Sequence, residues 1–308
     1  MNINASLIRA LNKANHCPAQ IKAKFIDGIK SDLPSEAMLS GTFFEAVTTG
    51  YDPNFMIEMN KCLSKFDINY NNIPSTSEIY YNALKSISPQ LIIPEHLVKS
   101  KIKDKYGPDT WKVELSRIFY QAAGFYRIAN RFRLFNNPFS VHKRISSVWN
   151  RNDSVNLHGE YDINGILVVS DENGSLVEKE YIIDLKLTAN LRSEYGDFAW
   201  GMPHLMDHTQ PKMYIKIMAL LDDKIRSFMY WVFDKKAIPE FKPIEINYTK
   251  LEDAELDESI RKTHELISIY ILKDWPEITN FKTCERCLLK DNCNAYKEDP
   301  PIPSIFQL

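Results

Sequence analysis

Asp184 and Lys186 stand two apart in the run Tyr181-Ile-Ile-Asp-Leu-Lys-Leu187. On an extended strand this spacing turns both polar side chains to one face and Ile183, Leu185 and Leu187 to the other. Asp162, in Gly159-Glu-Tyr-Asp162, lies on the preceding strand-like run. A three-residue loop Glu172-Asn-Gly174, with Gly174 in the left-handed bulge position, pairs 162 with 184 and places two aspartates and a lysine in one patch. A two-residue Asn–Gly turn would instead pair 162 with 185 and separate the aspartates unless a bulge intervened. Carboxylates this close repel each other, and a hard divalent cation such as Mg2+ or Mn2+ relieves the repulsion. Cation and ammonium together suit hydrolysis at phosphorus: the cation polarises the phosphoryl oxygen, and metal plus lysine supply the attacking hydroxide. The same spacing also describes the solvated face of an amphipathic hairpin, so spacing alone leaves both readings open.

The second constellation is Cys284-Glu-Arg-Cys287 followed by Cys293. This C-x2-C-x5-C spacing lets three thiolates converge on one metal centre, with a fourth ligand from elsewhere, for which Cys17 in His16-Cys-Pro-Ala-Gln20 is the candidate. The start of the chain carries no apolar run of signal-peptide length, and no stretch is long and apolar enough to span a bilayer, so a cytoplasmic protein with no membrane partner is expected. Thiols stay reduced there, which favours metal ligation over disulfides. Cys62 has no partner at ligand spacing and reads as a small buried hydrophobe.

The elements that must position these residues fall into three parts of one domain. Residues 1–150 read mainly as a helical lobe: Ser35 can cap a helix running through Thr48 that Gly50 ends, and Val113 to Phe135 keeps helical periodicity. Residues 151–250 hold the hairpin, a loop rich in Gly, Pro and His, a helix with Pro211 in its first turn, and a strand over 226–235. Residues 251–308 give a charged helix from about Asp253 to Ile271, the cysteine knuckle and a Pro-rich tail.

With 308 residues, 44% hydrophobic and 25% charged, the chain can bury one large core, and its net charge of −2 provides no global attraction for nucleic acid. DNA binding would need a local basic surface. The densest basic and aromatic tract holds Arg127, Arg131 and Arg133, then His142, Lys143, Arg144, Trp149 and Arg151. Such side chains neutralise phosphates and stack on unpaired bases, although most such tracts are solvated faces.

Gly159-Glu-Tyr-Asp162 followed by Ile183-Asp-Leu-Lys186 resembles the core of the PD-(D/E)XK nucleases. Gln210-Pro-Lys-Met-Tyr214 resembles the Q-x-x-x-Y helix of the RecB-like branch, with the two side chains one turn apart on one face. Gly41-Thr-Phe-Phe-Glu45 stands where that branch carries G-x-x-x-H, with glutamate in place of histidine. The resemblance spans Cys17 through Cys293. It implies a restriction-endonuclease-like α/β core with a mixed central sheet, an N-terminal helical lobe and a C-terminal cysteine knuckle. It further implies that Glu45, Asp162, Asp184 and the main-chain carbonyl of Leu185 bind Mg2+ or Mn2+, that Lys186 positions or activates water, and that Gln210 and Tyr214 assist. AddB-type and CRISPR-associated spacer-acquisition nucleases pair one cysteine before the core with three after it around a [4Fe–4S] cluster, which here implies Cys17, Cys284, Cys287 and Cys293, with structural Zn2+ as the alternative.

The activity so implied is DNA phosphodiester hydrolysis, favouring exonuclease action on ends or single strands in recombination, repair or phage DNA processing. The implied partners are DNA and a helicase or recombination protein. A structure-specific endonuclease, or a non-catalytic DNA-binding scaffold on the same fold, are the alternatives.

Overall fold

The computed structural model describes residues 1–13, 16–29, 36–63, 71–88, 110–150, 154–236 and 240–277, together with positions 284, 287, 289 and 293. Ser35, Arg151 and the Pro-rich tail lie outside the described residues. The architecture is mixed α/β with a six-stranded mixed sheet. The chain forms two compact units, one drawn from Met1–Leu33, Ser146–His158 and Thr249–Leu308, the other from Pro34–Ile145 and Gly159–Tyr248. Residues 1–150 are therefore shared between the units, where the sequence suggested one lobe.

The second unit is organised by the strands β2 (Phe139–Asn150) up to Ile145, β3 (Val155–Ser170) from Gly159, β4 (Leu176–Thr188), β5 (Ser227–Asp234) and β6 (Phe241–Ile246). The ladder runs β3-β4-β5-β6, with β2 also on β3. β3 and β4 are antiparallel, with Ile163 opposite Ile183 through Ser170 opposite Leu176. Continuing that ladder by one step sets 162 opposite 184, the register of the three-residue loop. The loop itself closes through Ser175 carbonyl accepting from Asp171 N–H at 2.8 Å, and Gly174 adopts φ 79°. Glycine enters that region without the steric penalty a Cβ brings.

The parallel neighbour of β4 is β5, which a hairpin cannot reach, so the chain crosses over through α7 (Thr209–Asp222). β5 is buried from Phe228 to Asp234, as its run of large apolar residues demands. On its far side β6 pairs antiparallel and carries Pro243, a residue confined to edges because it cannot donate to a ladder. That proline, with the neighbouring charges, hid β6 from the sequence pattern, although Ile244 and Ile246 alternate inward.

One face of the sheet is covered by α3 (Glu36–Thr49), α4 (Pro53–Leu63), α5 (Ile73–Ile87) and α6 (Thr110–Arg131). Ile183, Leu185 and Leu187 of β4 join Trp231 and Phe233 of β5 in this core. Phe125 packs against both at ring distances of 5.7 and 6.3 Å. Each such side chain contributes about 1.5–3 kcal/mol on full burial, so the apolar face of β4 holds the strand that carries Asp184 and Lys186. Cys62 on α4 is exposed, not buried.

The strand β2 replaces an expected helical stretch. Its buried residues Val141 and Ile145 are four apart, a spacing helix and strand both satisfy, and His142 between them has φ 44°. The strand periodicity is thus broken where it would have been read.

The first unit holds β1 (Asn2–Ile3), α1 (Ala5–Asn12), α2 (Pro18–Ile21) and α8 (Lys250–Leu272). Asn4 caps α1 by accepting from Leu7 N–H at 2.9 Å, and Thr249 with Glu252 forms a reciprocal capping box on α8. Leu7, Leu11, Ile21, Ile267 and Trp275 form its apolar cluster. β1 runs parallel to the first residues of β3, with Asn2 opposite Asn156. Among the described residues, no helix is long and apolar enough to cross a membrane.

Candidate active site

The polar face of β4 meets β3 on one side and α7 above. Asp162 is 9% and Asp184 3% exposed, burial that carboxylates tolerate only with partners. Leu185 N–H donates to Asp162 Oδ2 at 2.6 Å. Gln210 Nε2 donates to Asp184 Oδ1 at 2.9 Å and to the Tyr214 hydroxyl at 3.2 Å. Lys186 Nζ pairs with Asp184 Oδ2, an oxygen that otherwise has no hydrogen-bond partner. The aspartates, the lysine and both residues of the Gln210–Tyr214 pair are therefore brought together.

Gly159 explains how Tyr214 is seated. A Cβ at position 159 would lie 2.5 Å from Tyr214 Cε1, so the tyrosine ring occupies the space a side chain would need. The glycine that opens the Asp162 motif and the tyrosine that closes the Gln210 motif are one packing contact.

Glu45 reaches the same site from α3. Burial pushes its pKa up to about 7, helped by Asp184 and Glu160 and opposed by Lys186. Asp162 is likewise raised well above the usual carboxylate value, first by burial, then by Asp184 and Glu45. Burial alone would lower Lys186, but Asp184, Asp162 and Glu45 outweigh it and hold the ammonium above its ordinary value. Tyr214 is pushed up to about 12 by burial and by Asp184. Among the described residues the constellation is thus an excess of carboxylates around one partly buried ammonium, the electrostatic condition that a divalent cation relieves.

Among the described residues, no three His, Cys, Asp or Glu side chains stand as a ready-made metal cage. In this arrangement Asp162 and Asp184 turn oxygens toward Leu185 N–H, Gln210 and Lys186 instead.

Of the residues flanking Glu45, sequence reasoning named only His142, and that as part of the basic tract. Thr49, Tyr51, His142 and Glu160 form a continuous group beside the carboxylates. Glu160 was legible, being two positions before Asp162 on the same strand, whereas the others meet only through the fold. Of the basic tract, Arg144 pairs with Glu160 at 3.1 Å. Arg127 and Arg131 are exposed on α6, Arg133 is exposed just beyond it, and Lys143 is exposed on β2. None of these four has a described contact with the carboxylates. His208 is engaged with the Pro203 carbonyl at 2.9 Å.

In the first unit, Cys17 precedes α2, with its carbonyl accepting from Ile21 N–H at 3.1 Å. Cys287 N–H donates to the Cys284 carbonyl at 3.1 Å, closing a turn. Burial raises the Cys287 thiol pKa, and the thiols of Cys17, Cys284 and Cys293 raise it further while Leu289 N–H opposes. All three other cysteines are therefore close enough to act on Cys287.

No family model and no curated protein matches the chain. Among solved structures it is similar to a protein from Eubacterium rectale described as a "putative exonuclease", at 14% identity and a TM-score of 0.49, covering 98% of this chain and 94% of that one.

Proposed function

We propose that this chain is a metal-dependent DNA nuclease with a PD-(D/E)XK-type centre, acting as an exonuclease on DNA ends or single strands. The observation that carries the reading is the burial of Asp162 and Asp184 at the end of the hairpin, with Leu185 N–H donating to Asp162 while Gln210 donates to Asp184 and Lys186 pairs with it. A solvated hairpin face has no reason to bury two aspartates beside a half-buried lysine.

The residues fit a hard divalent cation: Asp184 Oδ2 is buried with only an ion pair, and burial first, then carboxylate neighbours, hold Glu45 and Asp162 at raised pKa values. Glu45, Asp162, Asp184 and the Leu185 carbonyl would hold Mg2+ or Mn2+. When bound, the cation supplies a Lewis acid for the phosphoryl oxygen and lowers the pKa of the attacking water. Lys186, kept charged by three carboxylates, donates hydrogen bonds that position this water and stabilise charge on the phosphoryl oxygens. Gln210 fixes the Asp184 carboxylate, and Tyr214 braces Gln210. Arg144, with Arg127, Arg131, Arg133 and Lys143, would neutralise phosphates of the bound strand.

The four cysteines are a donor set suited to a soft metal centre, and among the described residues three of the thiols act electrostatically on the fourth, Cys287, without standing as a ready-made cage. We assign this set a structural [4Fe–4S] cluster, with Zn2+ as the alternative, distinguished by iron content and visible absorption. Bound there, the cluster would tie Cys17 to a segment that begins at Cys284, far along the chain.

The metal site is tested without reference to cleavage. Mn2+ at about 100 times its dissociation constant should stabilise wild type by about 2.7 kcal/mol, read as a raised unfolding midpoint. Asp184→Ala should show no such rise, and an equal rise in both proteins would place the cation elsewhere.

A further inference from the structure

We propose that Tyr51 is a substrate-contacting residue of this centre, its hydroxyl donating a hydrogen bond to a phosphate oxygen of the nucleic-acid strand lying across the carboxylates. The inference rests on the nuclease reading and adds a residue that no motif in the chain contains.

Helix α3 ends at Thr49, one turn after Glu45. The Thr49 hydroxyl donates to the Glu45 carbonyl at 2.8 Å and accepts from Tyr51 N–H at 3.2 Å. It also lies 2.8 Å from His142 Nε2. Because the single hydroxyl proton is committed to Glu45, the imidazole must be the donor in that contact. One threonine oxygen thus ties together Glu45, the backbone of Tyr51 and the ring of His142.

The chain leaves α3 through two consecutive left-handed residues, Gly50 and Tyr51, both at φ 55°. Gly50 presses on Phe55, where an added Cβ would stand 2.3 Å from the ring. His142, against which Tyr51 packs, is left-handed too. The rings meet edge to face at 4.3 Å. Non-glycine residues in this region are strained, and such strain collects where a side chain must be aimed.

What the strain achieves is not burial, for Tyr51 remains 47% exposed. Among the described residues its hydroxyl has no hydrogen-bond partner. Burial of the phenol and the nearby Glu45, Asp162 and Glu160 push its pKa up to about 12, so it is a protonated donor at neutral pH. The His142 ring that Tyr51 packs on stands 3.9 Å from Glu160, and Thr49 links the Tyr51 backbone to Glu45, so a free donor lies beside the carboxylate cluster, where a phosphate drawn to a bound cation would lie. A base-stacking role would need only the ring, whereas a phosphate contact needs the hydroxyl.

Tyr51→Phe separates these, since it keeps the ring against His142. Binding of a labelled single-stranded oligonucleotide is followed in Ca2+ and its cleavage in Mn2+, with the unfolding midpoint and its Mn2+ response as controls. The expected result is an unchanged midpoint and Mn2+ response with a loss of about tenfold in DNA affinity or in cleavage rate at saturation, the scale of one hydrogen bond to a charged group. A methylphosphonate at the contacted linkage should reproduce that loss in wild type and add nothing in Tyr51→Phe. Wild-type binding and cleavage by Tyr51→Phe would overturn the inference and leave the nuclease reading standing. Failure of wild type itself to bind or cleave DNA would overturn both.

Discussion

Lys186→Ala should abolish DNA cleavage while the protein remains folded. The apolar face of β4, Ile183, Leu185 and Leu187, is untouched by the change and stays in the core with Trp231. What disappears is the only ammonium paired with Asp184 among the described residues. Removing a donor aimed at developing charge costs about 10²–10³ in rate, and loss of the water-positioning role adds to it. Without Lys186 the carboxylates also repel unopposed, so the metal-free variant should be less stable than wild type and recover on addition of Mn2+. Cleavage assays on refolded, Mn2+-responsive Lys186→Ala read the two effects separately. Wild-type rates from that variant would remove the lysine from the chemistry.

Cys284→Ala should act on folding first. Cys284 is buried and within electrostatic reach of Cys287, and a structural metal centre contributes apparent binding energy on the order of 10 kcal/mol to the fold that holds it. The small apolar cluster of Leu7, Leu11, Ile21, Ile267 and Trp275 is already buried and gains nothing to offset that loss. The variant should lose its bound iron or zinc, give poor soluble yield and unfold at a lower temperature. Cys62→Ala, at an exposed position on α4, should change none of these. Retention of metal and midpoint by Cys284→Ala would show that the thiols are bystanders.

The parts of the fold that could be read in the sequence are those where a strong local signal agreed with the tertiary result. Asn173-Gly174 between alternating runs marked the hairpin but left two loop lengths open, and the structure takes the three-residue one with Gly174 left-handed. Alternation around Asp184 separated core from chemistry, and the Gln210–Tyr214 spacing put both side chains on one helix face. The failures also have local causes. β2 was missed because Val141 and Ile145 satisfy helical spacing as well as strand spacing, and β6 because Pro243 argues against a strand unless it lies at an edge. His142 was legible only as a member of the basic tract, and its grouping with Thr49 and Tyr51 was not. It depends on a left-handed exit from α3 and on a contact across 93 residues of sequence, neither of which any periodicity encodes.

The central claim is tested most directly by incubating end-labelled linear single- and double-stranded DNA with wild type and Asp184→Ala, each in Mn2+, Mg2+ or EDTA. The account predicts label release by wild type that requires the cation and is absent in Asp184→Ala. Intact DNA in every lane with folded, metal-loaded wild type, or equal release by the variant, would contradict it.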